Sequence, residues 1–391
     1  MLKSFGAIGD GHADDTAAIL CAIKALNSKP PGPAQAGVIL FSIGTYVVSG
    51  PLVIQNTTGV TLLGTGQLAT ALLPTSALRG APVIKFVNCV NCAVRNLWIH
   101  GNTSSPPSAG IESQVDLPGS AARYPTNLLV RDVYIGNPIL GVTDVGLSYG
   151  IRFTATPNSD GNNDLSTVSH VTMAGLGVAG ISIEHSNSLA HRFDSLDIYY
   201  VPIGIQTKGG SFELVNSFLS VSSLEFNFLA SQGTLNGKNV AGYYHPILIS
   251  NTGSEGTSDL LSAVQWPEPG TPRADGVTGI DIYISNFDQK GTKVAAAGQI
   301  DTSINYWSPG KLSISNSNLI FGTDTNILAN NPKSVVTLTG NRISAVHQIQ
   351  FNGHLTSVGN YYMGGTSEFI PTAGAVFQPL GDFNDFPNGT N

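Results

Sequence analysis

Short phrases that alternate apolar and polar positions recur along most of the chain. Two of them are Val94-Arg-Asn-Leu-Trp-Ile99 and Val130-Arg-Asp-Val-Tyr-Ile135. The pattern starts again at Val168, Phe193, Leu214, Ile314, Leu338 and Val358. Successive side chains of a strand point to opposite faces, so each phrase predicts a short strand with one buried face. Several starts lie 20 to 25 residues apart, which is typical of one solenoid coil containing two or three strands.

Most of these phrases contain an asparagine at a fixed point. The asparagines are Asn96, Asn216, Asn316, Asn341 and Asn360. Asparagine tolerates the left-handed backbone conformation and hydrogen-bonds its own turn. We therefore expect a bend between two strands at each of them. Stacked coil on coil, they predict a structural ladder rather than a reactive site.

A second phrase usually follows the first and predicts the next strand of the coil. It reads Ala109-Gly-Ile-Glu112, Tyr149-Gly-Ile-Arg152, Ala179-Gly-Ile-Ser182 and Ile203-Gly-Ile-Gln206. Stacking in register would place Glu112, Arg152, Ser182 and Gln206 in one outward column. Thr154, Glu184 and Lys208 would form the neighbouring column. The sequence thus predicts a polar stripe of mixed charge.

The N-terminal segment has a different pattern. Gly6, Gly9 and Gly11 interrupt regular structure, and Asp14 is a suitable N-cap for a helix. Ile19, Ile23 and Leu26 follow at helical spacing and predict one apolar helix face. The strands that come next include Gly44-Thr-Tyr46, Pro51-Leu-Val-Ile54 and Val60-Thr-Leu-Leu-Gly-Thr-Gly66.

This order of residues resembles the opening of the pectate-lyase-like superfamily, which includes pectate lyases and phage tailspike-type β-helices. The matching positions are Phe5, Gly6, Gly9, Asp10, Gly11, Asp14, Asp15, Thr16, Ile19, Gly44, Thr45, Tyr46, Pro51, Leu52, Gly64 and Gly66. The resemblance implies an all-β fold, a single-stranded right-handed parallel β-helix with an N-terminal capping helix. It also implies that Asp10, Asp14 and Asp15 are structural.

The expected organisation is a cap over residues 1–36, a β-helix with loop insertions over 37–366 and a C-terminal tail over 367–391. The insertions fall at about 100–126, 155–165, 232–245 and 252–277. Insertions in solenoids often project from one side and build the binding face.

Composition narrows the class of partner. Charged residues are 11% of the 391, the net charge is −7, and no basic run is present. A nucleic-acid partner is therefore not expected, and no apolar stretch is long enough to predict a membrane span. A surface rich in hydroxyl and amide side chains suits sugar recognition. We expect a polysaccharide-degrading enzyme that works outside the cell, either secreted or virion-associated.

Glycoside hydrolysis needs two carboxylates, and the central coils contain several acids. Asp197 occupies the position of Trp98 and Tyr134 on other coils, so it is a single acid in an otherwise aromatic or apolar column. The expected catalytic residues are Glu184, Asp197, Glu213, His185 and Arg152. The expected substrate-binding residues are Glu112, Lys208, Asp194, His191, Tyr243, Tyr244 and Trp266.

Three alternatives stay open. A lyase would use Arg152, Lys208 or His185 in β-elimination from a uronate. A phage tailspike-type depolymerase or receptor-binding protein would be a homotrimer. A non-catalytic glycan-binding β-helix would need no reacting groups. No cofactor or metal is expected, although the spacing Asp160-Gly-Asn162-Asn-Asp164 resembles part of a calcium loop.

Overall fold

The computed structural model describes residues 2–27, 36–116, 126–137, 145–157, 159, 161–229, 233–235, 238–240, 246–256, 259–263, 279–291, 301–363 and 368–384. The chain forms two compact units, residues 1–202 and 203–391. In each unit short strands pair in parallel with the strands of the coils before and after. The predicted right-handed parallel β-helix is thereby confirmed.

The first unit begins with a 3₁₀ turn (Leu2–Phe5), a strand and the helix α1 (Thr16–Asn27). A second 3₁₀ turn spans Ser76–Leu78. The strands are β1 Asp10–Asp14, β2 Gly37–Leu40, β3 Gly44–Val48, β4 Leu52–Gln55, β5 Val60–Leu63, β6 Thr70–Pro74, β7 Ile84–Val87, β8 Ala93–Ile99, β9 Ala109–Val115, β10 Leu129–Gly136, β11 Leu147–Ala155, β12 Thr167–Ala174 and β13 Leu176–Ile183. Strand β14 (His191–Thr207) continues into the second unit.

The regular elements in the described part of the second unit are strands. They are β15 Phe212–Val215, β16 Phe218–Phe228, β17 Gly233–Leu235, β18 Lys238–Val240, β19 Ile247–Ser250, β20 Gly253–Gly256, β21 Asp259–Ala263, β22 Ile282–Ser285, β23 Asp288–Gly291, β24 Asp301–Tyr306, β25 Lys311–Ser315, β26 Asn318–Ala329, β27 Val335–Thr339, β28 Arg342–Phe351, β29 His354–Val358, β30 Tyr361–Met363, β31 Glu368–Pro371, β32 Val376–Leu380 and β33 Phe383–Asn384. Strands β17 and β18 form an antiparallel hairpin.

The capping helix forms as the sequence predicts. It begins at Thr16, one residue later than an N-cap at Asp14 would place it. Ile19 and Ile23 are buried against the first coils. The Asp14 carboxylate accepts a hydrogen bond from the Thr16 backbone N–H at 3.0 Å. The two carboxylate oxygens of Asp15 accept from Ile8 N and Gly9 N at 2.7 and 3.1 Å. These acids therefore hold the glycine-rich turn and the helix start together, in agreement with a structural role.

The alternating phrases stack in the predicted register in the first unit. Val94 pairs with Val130, Val130 with Val168, and Val168 with Phe193. All four side chains are fully buried. Burying an aliphatic or aromatic side chain stabilises the fold by about 1.5–3 kcal/mol, so this interior column defines the register and with it the positions of the outward side chains.

Left-handed residues bend the strands where the asparagines predict it. Asn96 has φ 55° and, in the second unit, Asn216 and Asn316 have φ 51° and 49°. On the coils after Asn96 the same bend is made by Asp132, His170 and Ser195, with φ between 53° and 56°. Residues other than asparagine can therefore also occupy the bend position.

The prediction that an asparagine makes the bend is wrong at Asn341 and Asn360. Gly340 and Gly359 take the left-handed conformation (φ 62° and 60°) and Asn341 and Asn360 are buried behind them. The Asn341 N–H and side-chain amide both donate to Oδ1 of Asn360 at 2.9 Å. A glycine has no Cβ to oppose a positive φ, so it makes the bend and the asparagine forms an interior ladder.

The final register also differs by one residue from the start of the alternating phrase at Val358, since Leu338 pairs with Ser357. The predicted C-terminal tail is also corrected. Strands β31, β32 and β33 pair in parallel with β28, β29 and β30. The β-helix therefore extends to Asn384, since proline and glycine interrupt these last coils without ending them.

Candidate active site and ionic cluster

A half-buried group of opposite charges spans successive coils of the first unit. Lys85, Glu112, Arg152 and Ser182 lie in register on β7, β9, β11 and β13. Lys85 Nζ lies 3.1 Å from Glu112 Oε1, and Arg152 Nη1 lies 3.2 Å from Glu112 Oε2. Arg152 also donates from Nε and Nη2 to the two oxygens of Glu184, at 3.0 and 2.8 Å. We call Lys85, Glu112, Arg152, Ser182 and Glu184 the ionic cluster.

The geometry of the ionic cluster is that of a structural network. The side chain of Glu112 is 7% exposed and that of Arg152 is 22% exposed. Burial lowers the pKa of Arg152, but its hydrogen bonds to Glu184 and the charges of Glu184 and Glu112 outweigh this effect and hold the pKa above its ordinary value. The guanidinium also lies 4.9 Å from the centre of the Tyr149 ring. Arg152 is therefore already neutralised by two carboxylates.

A second set of outward side chains lies in register on the strands β8, β10, β12 and β14. Trp98 pairs with Tyr134, Tyr134 with Thr172, and Thr172 with Asp197. The three side chains before Asp197 are half-buried, and Asp197 itself is exposed. We call Trp98, Tyr134, Thr172 and Asp197 the aromatic column. It confirms the predicted position of Asp197 as the one acid of this column.

Two further contacts hold the rings of the aromatic column in place. The Trp98 indole N–H donates to the carbonyl oxygen of Gly136 at 2.8 Å, and its ring stacks on His100 with centroids 3.4 Å apart. Gly136 has φ 99°, and a Cβ there would lie 1.9 Å from the backbone oxygen of Ala174. Only glycine fits this position, so the carbonyl that orients Trp98 is fixed by the stacking of two coils.

The hydroxyl groups of Tyr134 and Tyr199 are hydrogen-bonded to each other. Burial, followed by this hydrogen bond and the charges of Tyr199 and Asp197, raises the pKa of Tyr134 well above its ordinary value. Tyr200 packs edge-on against Tyr199, with centroids 5.3 Å apart. The site therefore presents neutral hydroxyl groups and aromatic faces around a carboxyl group.

The electrostatics of Asp197 distinguish it from an ordinary surface acid. Its side chain contacts solvent, yet the surrounding protein removes part of the hydration of the carboxyl group, and this desolvation raises its pKa. Burial also lowers the pKa of His100 to about 4. At neutral pH the imidazole is therefore uncharged, and the aromatic column contains no positive charge that would oppose the shift of Asp197.

Two histidines of the predicted site lie inside the coils. His191 is 1% exposed, stacks on Phe153 at 4.3 Å, and its Nδ1 accepts from Ser166 N at 3.2 Å. Burial lowers its pKa to about 3. His185 is also buried, with Nε2 at 2.9 Å from the carbonyl oxygen of Gly161. Neither position fits the expected contact with a polymer, because the rings face the protein interior.

The remaining predicted residues are spread over both units. Asp194 lies beside Arg192 (3.8 Å) and accepts from Ser195 Oγ at 3.0 Å. In the second unit, Glu213 is half-buried on β15 and Lys208 is exposed after the end of β14. Three predicted substrate-binding residues fall outside the described residues, namely Tyr243, Tyr244 and Trp266.

The loop that resembles part of a calcium site uses its oxygens for the protein itself. Asn162 Oδ1 accepts from Asn187 at 2.7 Å, and Asp164 Oδ1 accepts from Leu189 N at 2.8 Å. Asp160 lies outside the described residues. Within the part of the chain that the structure describes, no group of three or more His, Cys, Asp or Glu side chains is arranged to hold a metal ion.

Sequence reasoning missed His100, Tyr199 and Thr172 as members of this site. Thr172 and Tyr199 sit in the alternating phrases, so their outward parity was available from the pattern. His100 lies beyond the last strand residue, and its stacking on Trp98 depends on the turn that follows. No helix among the described residues is long and apolar enough to cross a membrane.

Fold and site together define a parallel β-helix protein with an aromatic, carboxyl-containing face. Residues 2–207, more than half of the chain, match the family model described as Rhamnogalacturonase A/epimerase, pectate lyase-like. The chain belongs to this family. The matched range contains both the ionic cluster and the aromatic column. None of the curated proteins matches the sequence.

Solved structures share the fold at low sequence identity. The A-module of the mannuronan C-5 epimerase AlgE6 of Azotobacter vinelandii is 14% identical, with a TM-score of 0.50 and 99% coverage of both chains. The catalytic domain of a GH87 α-1,3-glucanase in complex with nigerose is 11% identical, with a TM-score of 0.50, covering 95% of this chain and 67% of that one. These similarities support the β-helix architecture. They do not define the reaction, which has to be argued from the residues of the site.

Proposed function

We propose that this chain is a polysaccharide-degrading enzyme, a glycoside hydrolase whose proton donor is Asp197. Membership of a family named for a rhamnogalacturonase supports a polysaccharide substrate. The β-helix fold alone would not, because one fold serves several activities. The α-1,3-glucanase with the same architecture supports hydrolysis as a reaction that such coils can house.

The single observation that carries the proposal is the raised pKa of Asp197 within the aromatic column. A general acid in glycoside hydrolysis must hold its proton until the leaving oxygen takes it, and desolvation is the usual means of raising the pKa of such a carboxyl group. Half-buried aromatic rings beside it suit stacking against the apolar faces of sugar rings. The acid and the Trp98 and Tyr134 rings lie in register on paired strands of successive coils.

Hydrolysis also requires a second carboxylate, which activates water or attacks the sugar. Asp194 is the nearest acid along the same strand, three residues before Asp197 and across the left-handed bend at Ser195. Asp194 therefore lies outside the aromatic column, and we assign only the proton donor.

The ionic cluster has a different role in this proposal. Both oxygens of Glu184 accept hydrogen bonds from Arg152, so Glu184 is a poor proton donor. Arg152 is likewise a poor partner for a uronate, because Glu112 and Glu184 already neutralise it. This arrangement favours the hydrolase over the lyase, which needs a free cation to stabilise the uronate anion.

A polysaccharide substrate also places the protein's action outside the cell, on a secreted protein or a virion. A homotrimer, as in tailspike-type proteins, is an additional expectation. Light scattering in solution tests it, because a trimer would have three times the 40.7 kDa mass of the chain. A monomer would remove the tailspike alternative and leave the hydrolase proposal intact.

The experiment is a turnover assay on a panel of neutral and acidic polysaccharides. Reducing-end release by the wild-type protein without growth of absorbance near 235 nm would support hydrolysis. Absorbance growth would overturn it in favour of β-elimination, and no reducing ends on any glycan would favour a binding module. Asp197→Asn should lower the rate by about 10²–10⁴-fold, and the matched Asp116→Asn, an exposed acid of the same unit, should not change it.

A further inference from the structure

We propose that the sugar units bound at the aromatic column are uncharged, so that the enzyme acts on a neutral glycan and not on a polyuronate. This inference rests on the proposed function and adds the substrate class. It follows from the charges around Asp197, from the pairing of the nearby cations and from the kind of surface that the column presents.

The column offers no cation to a carboxylate or sulfate. Trp98, Tyr134 and Thr172 are uncharged, and Asp197 can only add a negative charge. The His100 imidazole stacks on Trp98, and its pKa of about 4 leaves it neutral under ordinary assay conditions. A uronate beside Asp197 would therefore find no cation to compensate its charge in a partly desolvated site, which penalises binding.

The neighbouring cations of the described coils are already paired or lie beyond the bend. In the ionic cluster, two basic and two acidic side chains cancel each other. Arg131 lies 3.4 Å from Asp132, and Arg192 lies 3.8 Å from Asp194. Arg95 lies in register with Arg131. All three of these arginines precede the left-handed residue of their strand, whereas the residues of the aromatic column follow it, so the bend separates them from the column.

What the column does offer is ring surface and hydroxyl groups. The Trp98 and Tyr134 rings lie 6.1 Å apart on adjacent coils, and Tyr200 adds an exposed ring beside Tyr199. Aromatic faces pack against the C–H faces of hexose rings, and a carboxyl group with phenolic hydroxyls hydrogen-bonds sugar hydroxyls. Selection for a neutral glycan thus combines attraction to the sugar ring with the cost of placing an uncompensated uronate charge in the site.

The test is affinity electrophoresis at 4 °C. One set of gels contains neutral glucans or mannans, and the other contains the polyuronates polygalacturonate or alginate. Retardation measures binding independently of turnover. The wild-type protein should be retarded by a neutral glycan and not by the polyuronates at low salt. Trp98→Leu and Tyr200→Asn should each weaken the retardation by up to about 10-fold. Asparagine is chosen at position 200 because Tyr200 has a left-handed backbone, with φ 55°, and asparagine tolerates this conformation. Arg131→Ala should leave it unchanged.

Retardation by a polyuronate that exceeds retardation by every neutral glycan would overturn the inference, and so would an equal loss of binding in Arg131→Ala. Should Trp98→Leu fail to fold, as judged by its melting temperature, Tyr200→Asn carries the test alone. The outcome for the proposed function is separate. Retardation by a neutral glycan without release of reducing ends would contradict the hydrolase proposal and support this inference. Hydrolysis of a polyuronate would support the hydrolase proposal and contradict this inference.

Discussion

The ionic cluster and the aromatic column are built from the same coils of the first unit but manage charge in opposite ways. In the ionic cluster every carboxylate accepts from a basic side chain, so both acids are neutralised. In the aromatic column a single carboxyl group lies among rings, and its pKa is raised. The contrast teaches that the density of acids is a poor guide to a reactive site in a β-helix. Reactivity is expected where the acid lacks a cation.

The largest effect on stability should come from breaking the ionic cluster. Arg152→Met leaves Glu184 with an uncompensated charge and Glu112 with Lys85 as its one remaining cation in the cluster. Removal of one partner of a largely buried pair costs about 3–5 kcal/mol. Urea unfolding followed by circular dichroism measures this loss. The control is Lys290→Met, whose exposed ion pair with Asp288 at 3.6 Å should contribute under about 1 kcal/mol. Equal losses in the two variants would show that the cluster is not a stabilising network.

A second effect on stability should come from the interior histidine. The pKa of His191 is lowered to about 3 in the folded protein, against about 6.5 in the unfolded chain. The unfolded state therefore binds the proton first, and the free energy of unfolding should fall as the pH drops from 6.5 towards 3.

His191→Gln, which keeps a polar side chain but cannot titrate, should lose part of this pH dependence. Unfolding curves at several pH values measure the slope. Identical slopes in the variant and the wild-type protein would mean that His191 is not the group responsible, and that its buried position has been misjudged.

A smaller and more specific effect concerns the pH dependence of activity. Because desolvation raises the pKa of Asp197, the carboxyl group keeps its proton to a higher pH than an ordinary aspartic acid. The alkaline limb of kcat/KM should therefore lie above the ordinary pKa of about 3.9. A pH profile on a cleaved neutral glycan measures it. An alkaline limb at or below that ordinary value would contradict the proton-donor role.

Much of this architecture was predictable from the sequence, because the interior of a coil repeats. The alternation of apolar and polar residues predicts which side chains point inward, and so it predicts the register of Val94, Val130, Val168 and Phe193. That register in turn places Asp197 in the aromatic column. The prediction was wrong where a glycine competed with an asparagine for the bend, at Gly340 and Gly359. It also placed the end of the β-helix too early.

The chemistry of the site was less predictable, because it depends on which side chains pair. Sequence spacing gave Glu112 and Arg152 a shared column, but it did not reveal that Glu184 reaches back to Arg152 with both oxygens. Nor did it show that His185 and His191 turn inward at their positions. Pairing and side-chain direction follow from local turns, for which the alternating pattern contains no signal.

The most direct test of the central claim is a side-by-side comparison of Asp197→Asn with Glu184→Gln, in which kcat/KM and melting temperature are measured on both. We expect Asp197→Asn to lose about 10²–10⁴-fold in kcat/KM at an unchanged melting temperature. Glu184→Gln should lower the melting temperature while its folded fraction keeps most of the activity. The reverse result, with full activity in Asp197→Asn and none in folded Glu184→Gln, would contradict the account and move the catalytic acid to the ionic cluster.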